Sequence, residues 1–527
     1  MTGELRDSLE NLYPDSQVSA AKRPPMRLDV ARGGTVAVHV LLNDLADGAP
    51  VQLSLADRKG RVPRVQWFRL LDVPVEANTG LRDFIEKEGT PNSPNPFVVR
   101  RAPFRTYDAM EPIGESANPP TGTAAFRMHL PVPAGSRPGR REMVIRVICG
   151  RERLELPFTV HVHPPVVPPV GSASFPYTNW FDYDLIATRH GLKPWSESHW
   201  QMLGRYAAMM AHARQNTFWV PIKCIFTVQD KRMVLNAARL RRIVKLFTDA
   251  GLHWIEGGHF GSRSTSEWTC PTFSVRLINH VATTPEGNAA IADIGRQFMA
   301  EIERNGWRDR WLQHVADEPI RENADNFRIF VGMVRKYMPG MPILDATMHE
   351  FLVGSVDIWC PQVQGFEKHR EHFERQKALG DRVWFYTCCS PGGPWLNRLL
   401  DQELLRPALI GWNAALWGLD GFLHWGLNHY REGQDPFQKS VVKHFEVNRL
   451  PAGDTHIVYP GRDGPWSSLR LEAHREGFED YELLRRLQRR SPKAAARILR
   501  MAIRRADDYT KDVTVFRAAR RALLTAR

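Results

Sequence analysis

After Gly171 the sequence alternates between apolar runs of strand length and amphipathic segments of helix length, and this alternation constrains the fold more than any other feature. The apolar runs cover residues 175–181, 217–222, 254–258, 311–316, 341–347, 356–363, 382–388 and 421–427. Segments with apolar residues at three- and four-residue spacing cover 198–215, 236–250, 289–305, 324–337, 401–417 and, after a long loop, 467–490. Eight strands alternating with helices predict a (β/α)8 barrel of the TIM type.

The residues before Gly171 follow a different pattern. From residue 25 to residue 163 apolar residues recur at every second position between turns rich in Gly, Pro, Asn and Asp, which predicts an antiparallel β-sandwich. Residues 163–171, His-Pro-Pro-Val-Val-Pro-Pro-Val-Gly, contain too much proline for a helix or a central strand and mark a domain boundary. We therefore predict a multidomain α/β protein, with a β-sandwich at 1–170, a barrel at 171–490 and a basic helical tail at 491–527.

The net charge of +13 is concentrated near the C-terminus. Residues 485–527 contain 14 Lys or Arg and three Asp, which accounts for +11 of the total, so the rest of the chain is nearly neutral. Apolar residues at helical spacing in this segment predict a helix that docks on its own domain and exposes a basic face to solvent. The charge pattern therefore does not favour nucleic acid as a partner.

Other features narrow the class of protein further. No run of about 18 uninterrupted apolar residues is present, so we expect no membrane span. The first ten residues contain no apolar stretch of the kind found in secretory signals, and we expect a cytoplasmic protein. The six cysteines are scattered without Cys-x-x-Cys spacing, which argues against a zinc ribbon and against a disulfide scaffold. We predict no metal and no cofactor, and the sequence leaves the oligomeric state open.

Two adjacent carboxylates, Asp317 and Glu318, follow the apolar run at 311–316, and Pro319 ends that run. An isolated Asp-Glu dipeptide is more often solvated surface charge than a functional site. In barrels of alternating strands and helices, however, the catalytic groups lie at the C-terminal ends of the strands. The position of this pair makes it the leading candidate for a catalytic acid pair.

The ends of the other predicted strands carry aromatic, amide, carboxylate and histidine side chains. The candidates for ligand binding are Asn179, Trp180, Trp219, Glu256, His259, Gln362, Tyr386 and Trp425. A pyranose offers an apolar face for stacking and hydroxyl groups for directional hydrogen bonds, so sugar sites combine these residue types. Each aromatic residue alone is more often part of a core, but together they favour a glycan or glycoside as substrate.

Two mechanisms of sugar cleavage fit these residues. An ordinary retaining glycosidase uses two carboxylates about 5 Å apart across the scissile bond. The second carboxylate would then be Glu256 or Glu350. Substrate-assisted hydrolysis needs only the adjacent pair, because the substrate's own 2-acetamido oxygen attacks the anomeric carbon. One carboxylate steadies the acetamido nitrogen while the other protonates the leaving oxygen.

Four blocks of the sequence together resemble glycoside hydrolase family 123 and its wider uncharacterised relatives. They are Asp317-Glu-Pro319, Val383-Trp-Phe-Tyr-Thr-Cys-Cys-Ser-Pro391, Gly421-Phe-Leu-His-Trp-Gly-Leu-Asn428 and Ser468-Leu-Arg-Leu-Glu-Ala-His-Arg-Glu-Gly-Phe-Glu-Asp-Tyr-Glu-Leu-Leu484. The resemblance implies a retaining exo-β-N-acetylgalactosaminidase that acts through an oxazolinium intermediate. It also implies that Asp317 orients and stabilises the acetamido group, and that Glu318 acts first as general acid and then as base.

This chemistry requires Glu318 to be protonated and Asp317 ionised in the resting enzyme, so we expect a bell-shaped pH profile below neutrality. Three alternatives stay open. The first is a hydrolase of the same barrel superfamily that acts on another sugar or linkage with two protein carboxylates, and the second is a non-catalytic carbohydrate-binding protein. The third is a metal enzyme using His314, Asp317, Glu318 and His259. It is weaker, because strand alternation puts His314 and Asp317 on opposite faces.

Overall fold

A computed structural model describes residues 1–21, 25–45, 48–57, 60, 63–87, 94–119, 121–347, 349–445 and 447–526. Arg527, the last residue of the predicted basic tail, lies outside the described residues. The chain forms two compact units. The first comprises Met1–Pro169, Gly392–Trp417 and Asn428–Arg527, and the second comprises Val170–Pro391 and Gly418–Leu427. Among the described residues, no helix is long and apolar enough to cross a membrane.

The N-terminal part of the first unit consists of two five-stranded sheets. Its strands are β1 (Thr2–Asp7), β2 (Met26–Arg32), β3 (Thr35–Leu45), β4 (Val51–Asp57), β5 (Gln66–Val75), β6 (Phe104–Ile113), β7 (Ser116–Ala117), β8 (Gly122–Pro131), β9 (Gly139–Cys149) and β10 (Glu152–Val166). The sheet orders are β1-β3-β8-β5-β6 and β2-β10-β9-β4-β7. All described pairs are antiparallel, as predicted, except that the edge strand β2 runs parallel to β10.

One hydrophobic core joins the two sheets. Val38 and Val40 on β3, Phe126 on β8, and Ile145 and Val147 on β9 are fully buried in the same cluster. Successive side chains of a strand point to opposite faces, so the period-two pattern sends every second residue into this core. The N-terminal antiparallel sheet region of the prediction is therefore present.

The second unit contains all eight strands that the alternating pattern predicted. Its strands are β11 (Tyr177–Asn179), β12 (Thr217–Val220), β13 (Phe226–Gln229), β14 (Arg232–Leu235), β15 (Trp254–Gly257), β16 (Gly261–Arg263), β17 (Phe273–Val275), β18 (Trp311–Gln313), β19 (Leu344–Thr347), β20 (Ile358–Pro361), β21 (Arg382–Tyr386) and β22 (Gly421–His424). Two parallel ladders run β11-β22-β21-β20-β19 and β12-β15-β18, while β13-β14 and β16-β17 are antiparallel hairpins. An isolated parallel bridge joins Gln313 to Ile343, just before β19.

Helices connect the parallel strands. They are α1 (Tyr183–Arg189), α2 (Glu197–His212), α3 (Ile222–Ile225), α4 (Ala237–Asp249), α5 (Pro285–Arg304), α6 (Ala324–Tyr337), α7 (Val363–Lys368) and α8 (Arg370–Ala378), with 3-10 turns at Arg308–Arg310 and Arg321–Asn323. The side chain of Asn236 caps α4 by accepting from the N–H of Arg239, and Thr284 caps α5, which starts with Pro285. These caps fix where the helices begin, close to the predicted limits.

Apolar side chains from five parallel strands meet in one cluster of the second unit. The cluster contains Leu312, Leu344, Ile358, Trp384 and Leu423, all at most 2% exposed. Such near-continuous apolar runs are typical of parallel strands that are covered on both faces. Because parallel strands end at the same edge, the polar residues that follow them are brought together there.

The rest of the first unit is mainly helical. It contains α9 (Leu405–Trp417), β23 (Val442–His444), β24 (Asn448–Leu450), β25 (Tyr459–Gly461), β26 (Gly464–Trp466), α10 (Leu469–Arg490), α11 (Pro492–Ala502), β27 (Ile503–Arg505), β28 (Asp508–Tyr509) and α12 (Val513–Thr525). Helix α10 packs closely against α9, since a Cβ atom at Gly411 would lie 2.2 Å from the carbonyl oxygen of Gly477. In α12, Arg517 pairs with Asp7 at 2.7 Å and Arg520 with Asp480 at 2.9 Å. Part of the basic charge of the helical tail is therefore neutralised within its own unit.

Candidate active site

Asp317 and Glu318 follow β18 at the C-terminal edge of the parallel strands of the second unit. The N–H groups of Val315 and Ala316 both donate to Oδ2 of Asp345 on β19, at 3.0 and 3.4 Å, which holds the segment from the neighbouring strand. The side chain of Asp317 remains 45% exposed. The pair is thus fixed through its main chain while its carboxylates stay reachable.

Glu318 adopts a left-handed backbone conformation, with φ of 45°. This conformation costs about 1–2 kcal/mol in a residue with a side chain. Arg263 on β16 lies against the strained peptide, and its guanidinium donates to the carbonyl oxygens of Asp317 at 3.1 Å and Glu318 at 2.8 Å. It also donates to the carbonyl of Trp268 at 2.7 Å and stacks over that ring, 3.8 Å from the centroid. The β16-β17 hairpin therefore holds the acid pair in its conformation.

Tyr386, at the end of β21, donates a hydrogen bond from its hydroxyl to Oε1 of Glu318. Burial and the neighbouring charge of Asp317 raise the pKa of Glu318 to about 7, while the Tyr386 hydrogen bond and Arg263 favour the ionised form. A carboxyl group with a pKa near 7 gains and loses its proton at neutral pH. This property suits a group that acts as an acid and then as a base.

Asp317 lies in a more positive environment than its neighbour. Burial raises the pKa of Asp317, but the charges of Arg276, His314 and Arg263 all oppose the shift. Because like charges repel, two adjacent carboxylates are not easily ionised together, and one of them keeps its proton to higher pH than the other. The cations favour Asp317 as the ionised member and Glu318 as the protonated one.

A buried histidine between two carboxylates lies beneath the pair. Nε2 of His314 is 2.8 Å from Oε1 of Glu256, and its Nδ1 is 2.9 Å from Oδ1 of Asp345; all three side chains are fully buried. Burial disfavours the imidazolium, but the hydrogen bonds to Asp345 and Glu256 outweigh it and raise the pKa of His314 to about 9. At neutral pH His314 is therefore a cation with both ring nitrogens donating.

Two stacked indoles form an apolar wall beside these charges. Trp180 and Trp219 stack with ring centroids 4.6 Å apart, and Nε1 of Trp180 donates to Oε1 of Glu256 at 2.8 Å. Thr178 donates to the other oxygen of Glu256 at 2.6 Å. Glu256 thus orients Trp180, and its own orientation is set by Thr178 and His314.

His259 follows β15 and completes the cluster. Its ring lies edge-on to Trp180, Trp219 and His314, with centroids 5.1, 5.3 and 4.8 Å away. Its Nε2 is 3.6 Å from Oδ1 of Asp345 and 3.9 Å from Oδ1 of Asp317. Of the sequence candidates, the structure therefore gathers Trp180, Trp219, Glu256, His259 and Tyr386 around the acid pair.

The remaining three candidates are placed differently. Asn179 is buried and donates to the Tyr177 hydroxyl at 2.7 Å and to Oε1 of Gln215 at 3.0 Å, so its amide is engaged within the core. Gln362 forms an isolated parallel bridge to Tyr386, but its side-chain oxygen accepts from Gln364. Trp425 is half-buried just after β22. A binding role for these three stays a prediction.

Sequence reasoning missed two residues that shape the site. Asp345 was hidden inside a predicted strand, yet it binds both the main chain before the acid pair and His314. Arg263 lies in a segment without a periodic signal and reaches the pair only through the β16-β17 hairpin. No pattern in the sequence pointed to either residue.

The cluster also bears on the metal alternative. His259, His314 and Asp345 place one ligand atom each within 4.8 Å of one another, so they could approach a cation geometrically. Both nitrogens of His314, however, already bond to carboxylates. A chelate would have to displace Asp345 from Nδ1, and the arrangement fits a charged hydrogen-bond network better than a metal centre.

Comparison with known proteins identifies the class. Residues 235–487 match the profile described as glycoside hydrolase 123, catalytic domain, and this segment contains both Asp317 and Glu318. The match relates this segment of the chain to the glycoside hydrolases. More particularly, the chain is a relative of glycoside hydrolase family 123, and the resemblance seen in the four sequence blocks is confirmed. No curated protein sequence matches the chain.

The fold agrees with this class. The structure is similar to that of a family 123 glycoside hydrolase from Clostridium perfringens, solved in a study of glycolipid glycan hydrolysis, with a TM-score of 0.73 and 13% identity over 99% of this chain and 96% of the other. Weaker matches are a β-glucuronidase from Parabacteroides merdae (TM-score 0.33, 11% identity, 85% of this chain and 50% of the other) and a xyloglucanase from Bacteroides ovatus (TM-score 0.32, 10% identity, 90% and 100%). The last two scores are too low to carry an argument.

Proposed function

We propose that this protein is a retaining, exo-acting glycoside hydrolase that removes terminal β-linked N-acetylgalactosamine by substrate assistance. The observation that carries the proposal is the unequal environment of two adjacent carboxylates. Glu318 accepts from Tyr386 and has a pKa raised to about 7, whereas Asp317 faces Arg276, His314 and Arg263. Such a pair supplies one acid and one anion side by side.

In the first step the acetamido oxygen of the substrate attacks the anomeric carbon. Glu318 gives its proton to the leaving oxygen, the glycosidic bond breaks, and an oxazolinium ring forms. Asp317 accepts a hydrogen bond from the acetamido N–H and stabilises the positive charge that develops there. In the second step Glu318 takes a proton from water, the water oxygen attacks the anomeric carbon, and the acetamido group is restored with retention of configuration.

The surroundings of Glu256 argue against a mechanism with Glu256 as a protein nucleophile. Its two oxygens accept from Thr178, Trp180 and His314 at 2.6–2.8 Å, and the side chain is fully buried. A nucleophile needs an accessible lone pair directed at the anomeric carbon. Glu350, the other candidate, lies 2.8 Å from Nδ1 of His369, with which it can form an ion pair. The adjacent pair is the better supported catalytic unit.

The fold part of the proposal is a closed (β/α)8 barrel in the second unit. Support comes from the two parallel ladders, from the Gln313–Ile343 bridge between them, and from the N–H of Tyr177 donating to Oδ1 of Asn216 at 3.1 Å on the opposite side. Stacked indoles such as Trp180 and Trp219 would then line a sugar pocket at the mouth. The preference for galactosamine rests on the family resemblance. A glycolipid glycan is one candidate substrate, because the similar structure from Clostridium perfringens was solved in a study of glycolipid glycan hydrolysis.

The test compares aryl β-glycosides of 2-acetamido-galactose, 2-acetamido-glucose and unsubstituted galactose. We expect wild type to cleave the acetamido sugars only, galactosamine best, and a thiazoline mimic of the oxazolinium ring to inhibit. Glu318→Gln and Asp317→Asn should each lose activity on the order of 10²- to 10⁴-fold. Glu322→Gln, an exposed carboxylate in the same segment, is the matched control and should behave as wild type. Cleavage of the plain galactoside without inhibition would refute substrate assistance. Sugar binding without turnover of any substrate would instead indicate a carbohydrate-binding protein.

A further inference from the structure

His259 carries a buried donor that the proposed steps do not use. The residue is 5% exposed, and its Nε2 has no hydrogen-bond partner among the described residues. An unpaired buried polar atom destabilises the folded state, so such an atom at a site calls for an explanation. The carboxylates near this nitrogen provide one.

Nε2 of His259 lies between two carboxylates, 3.6 Å from Oδ1 of Asp345 and 3.9 Å from Oδ1 of Asp317. Both oxygens of Asp345 already accept hydrogen bonds, because His314 donates to its Oδ1 and the N–H groups of Val315 and Ala316 donate to its Oδ2. Asp317, by contrast, has no hydrogen bond to its side chain among the described residues. The carboxylate without a donor and the donor without an acceptor are therefore less than 4 Å apart.

The ring of His259 is restrained, and the carboxylate of Asp317 is the freer partner. Trp180, Trp219 and His314 pack edge-on around the imidazole at centroid distances of 4.8–5.3 Å. The side chain of Asp317 is 45% exposed, whereas that of His259 is 5% exposed. A movement of under 1 Å by Asp317 toward His259 would make the hydrogen bond, and catalytic hydrogen bonds commonly tighten only when substrate is bound.

We propose that His259 is a positioning residue for Asp317: in the occupied site its Nε2–H donates to one carboxylate oxygen while the acetamido N–H of the substrate donates to the other. This inference rests on the proposed function and deepens it, since it says how the anion is aimed at the acetamido group. The hydrogen bond would fix the plane of the carboxylate, and the acetamido oxygen would be aligned with the anomeric carbon as a consequence.

The protonation state of His259 agrees with this role. Burial and the positive charges of His314 and Arg276 hold the pKa of His259 well below its usual range, so the ring is neutral and donates through one nitrogen only. A neutral donor stabilises the ionised form of Asp317 without adding a titration of its own near neutral pH. The ionisable groups that interact with Asp317 in the described part of the chain are Glu318, His259, His314, Asp345, Cys360, Tyr386, Arg263 and Arg276.

The experiment compares His259→Leu, which removes the donor, with His259→Gln, whose amide nitrogen reaches about as far as Nε2. For the 2-acetamido-galactoside we expect His259→Leu to lower kcat about 10- to 100-fold with little change in KM, and to move the acid limb of the kcat profile to higher pH. The limb moves upward because Asp317 loses a donor that favours its ionised form. His259→Gln should restore the limb and most of kcat. His253→Gln is the control and should match wild type, because His253 lies just before β15, whereas His259 follows it.

The outcomes separate this inference from the proposed function. Equal losses in the Leu and Gln variants, with the acid limb unmoved and thermal stability lowered in both, would show that His259 only packs the site, and the inference would be overturned. Wild-type activity that does not depend on the acetamido group would overturn the proposed function and the inference together. Acetamido-dependent activity with identical pH limbs in wild type and both variants would overturn the inference alone.

Discussion

The hydroxyl of Tyr386 donates its hydrogen bond to Oε1 of Glu318, so the end of β21 controls the proton of a carboxylate that follows β18. This bond opposes burial and the charge of Asp317, which together raise the pKa of Glu318 to about 7. If Glu318 is the general acid, kcat/KM should fall as the pH rises through about 7, because Glu318 then loses the proton that it gives to the leaving oxygen. The pH dependence of kcat/KM on a 2-acetamido-galactoside with a poor leaving group measures this limb.

Replacement of Tyr386 by Phe should move the basic limb of the kcat/KM profile to higher pH. The variant loses a donor to the ionised carboxylate, so the pKa of Glu318 rises, and the basic limb should shift to higher pH by about one unit. Tyr206→Phe is the matched control, since it also removes a buried tyrosine hydroxyl, one that lies 3.1 Å from Nε2 of His190. A downward shift in Tyr386→Phe, or an equal shift in Tyr206→Phe, would contradict this account of the proton.

Arg263 should matter through the shape of its guanidinium more than through its charge. Its guanidinium bonds two successive carbonyl oxygens, those of Asp317 and Glu318, and the carbonyl of Trp268. A lysine cannot reproduce this fork. We expect Arg263→Lys and Arg263→Ala to lower kcat by similar factors, on the order of tenfold to a hundredfold, since small displacements of catalytic groups have such effects. Rate measurements beside far-ultraviolet circular dichroism would show whether activity is lost without unfolding; full activity in Arg263→Lys would mean that charge alone suffices.

The backbone of Glu318 gives a prediction about stability. At φ of 45° a glycine is not penalised, whereas alanine carries the same left-handed strain as glutamate. We expect the free energy of unfolding of Glu318→Gly to be about 1 kcal/mol higher than that of Glu318→Ala. At most positions the alanine variant is the more stable of the two. Chemical denaturation of both variants at one pH measures the difference. The usual order would mean that the strained conformation relaxes once the carboxylate is removed.

The alternating pattern predicted the parallel strands well because each strand must be apolar along its length when both faces are covered. Phe218, Ile255 and Trp384 are all fully buried, and each lies in a run that was recognised as a strand. The strands are shorter than predicted, since residues such as Val315 continue the apolar run after the ladder has ended at Gln313. Helix α10 groups with the first unit although its sequence was assigned to the barrel domain. An apolar helix face does not specify which partner it covers.

The sequence predicts which residues lie at the ends of the strands. It does not predict which of their side chains form hydrogen bonds with one another. The spacing of Trp180, Glu256 and Tyr386 after predicted strands was enough to expect them near Asp317. Their pairing was not predictable, because a hydrogen bond such as Trp180 to Glu256 depends on tertiary register rather than on either sequence position. The same applies to His314, because no pattern in the sequence places its ring between Glu256 and Asp345.

His314 should contribute to stability in a pH-dependent way. The pKa of His314 is raised to about 9 in the folded protein, so its contribution is fully present below its unfolded value near 6.5 and is lost as the pH rises through about 9. His314→Leu leaves Glu256 and Asp345 buried without their cation, and we expect it to lower the free energy of unfolding by about 3–5 kcal/mol at pH 6. Denaturant titrations at pH 6, 7.5 and 9.5 should show the gap between wild type and variant narrowing. A gap that stays constant would mean that His314 is neutral throughout.

The role of Glu256 can be separated from that of a nucleophile by chemical rescue. Because Thr178, Trp180 and His314 occupy its oxygens, we expect Glu256→Ala to lose activity through misplacement of Trp180. Azide should not restore turnover in that variant, whereas it should react with the intermediate in Glu318→Ala and give a β-glycosyl azide from an activated aryl substrate. An α-glycosyl azide from Glu256→Ala would identify Glu256 as a nucleophile and refute substrate assistance. Glu256→Gln keeps the volume and one acceptor oxygen, so it controls for a folding defect. If Glu256 only orients Trp180 and forms no bond to the sugar, this variant should keep Trp180 in place and retain more activity than the alanine variant.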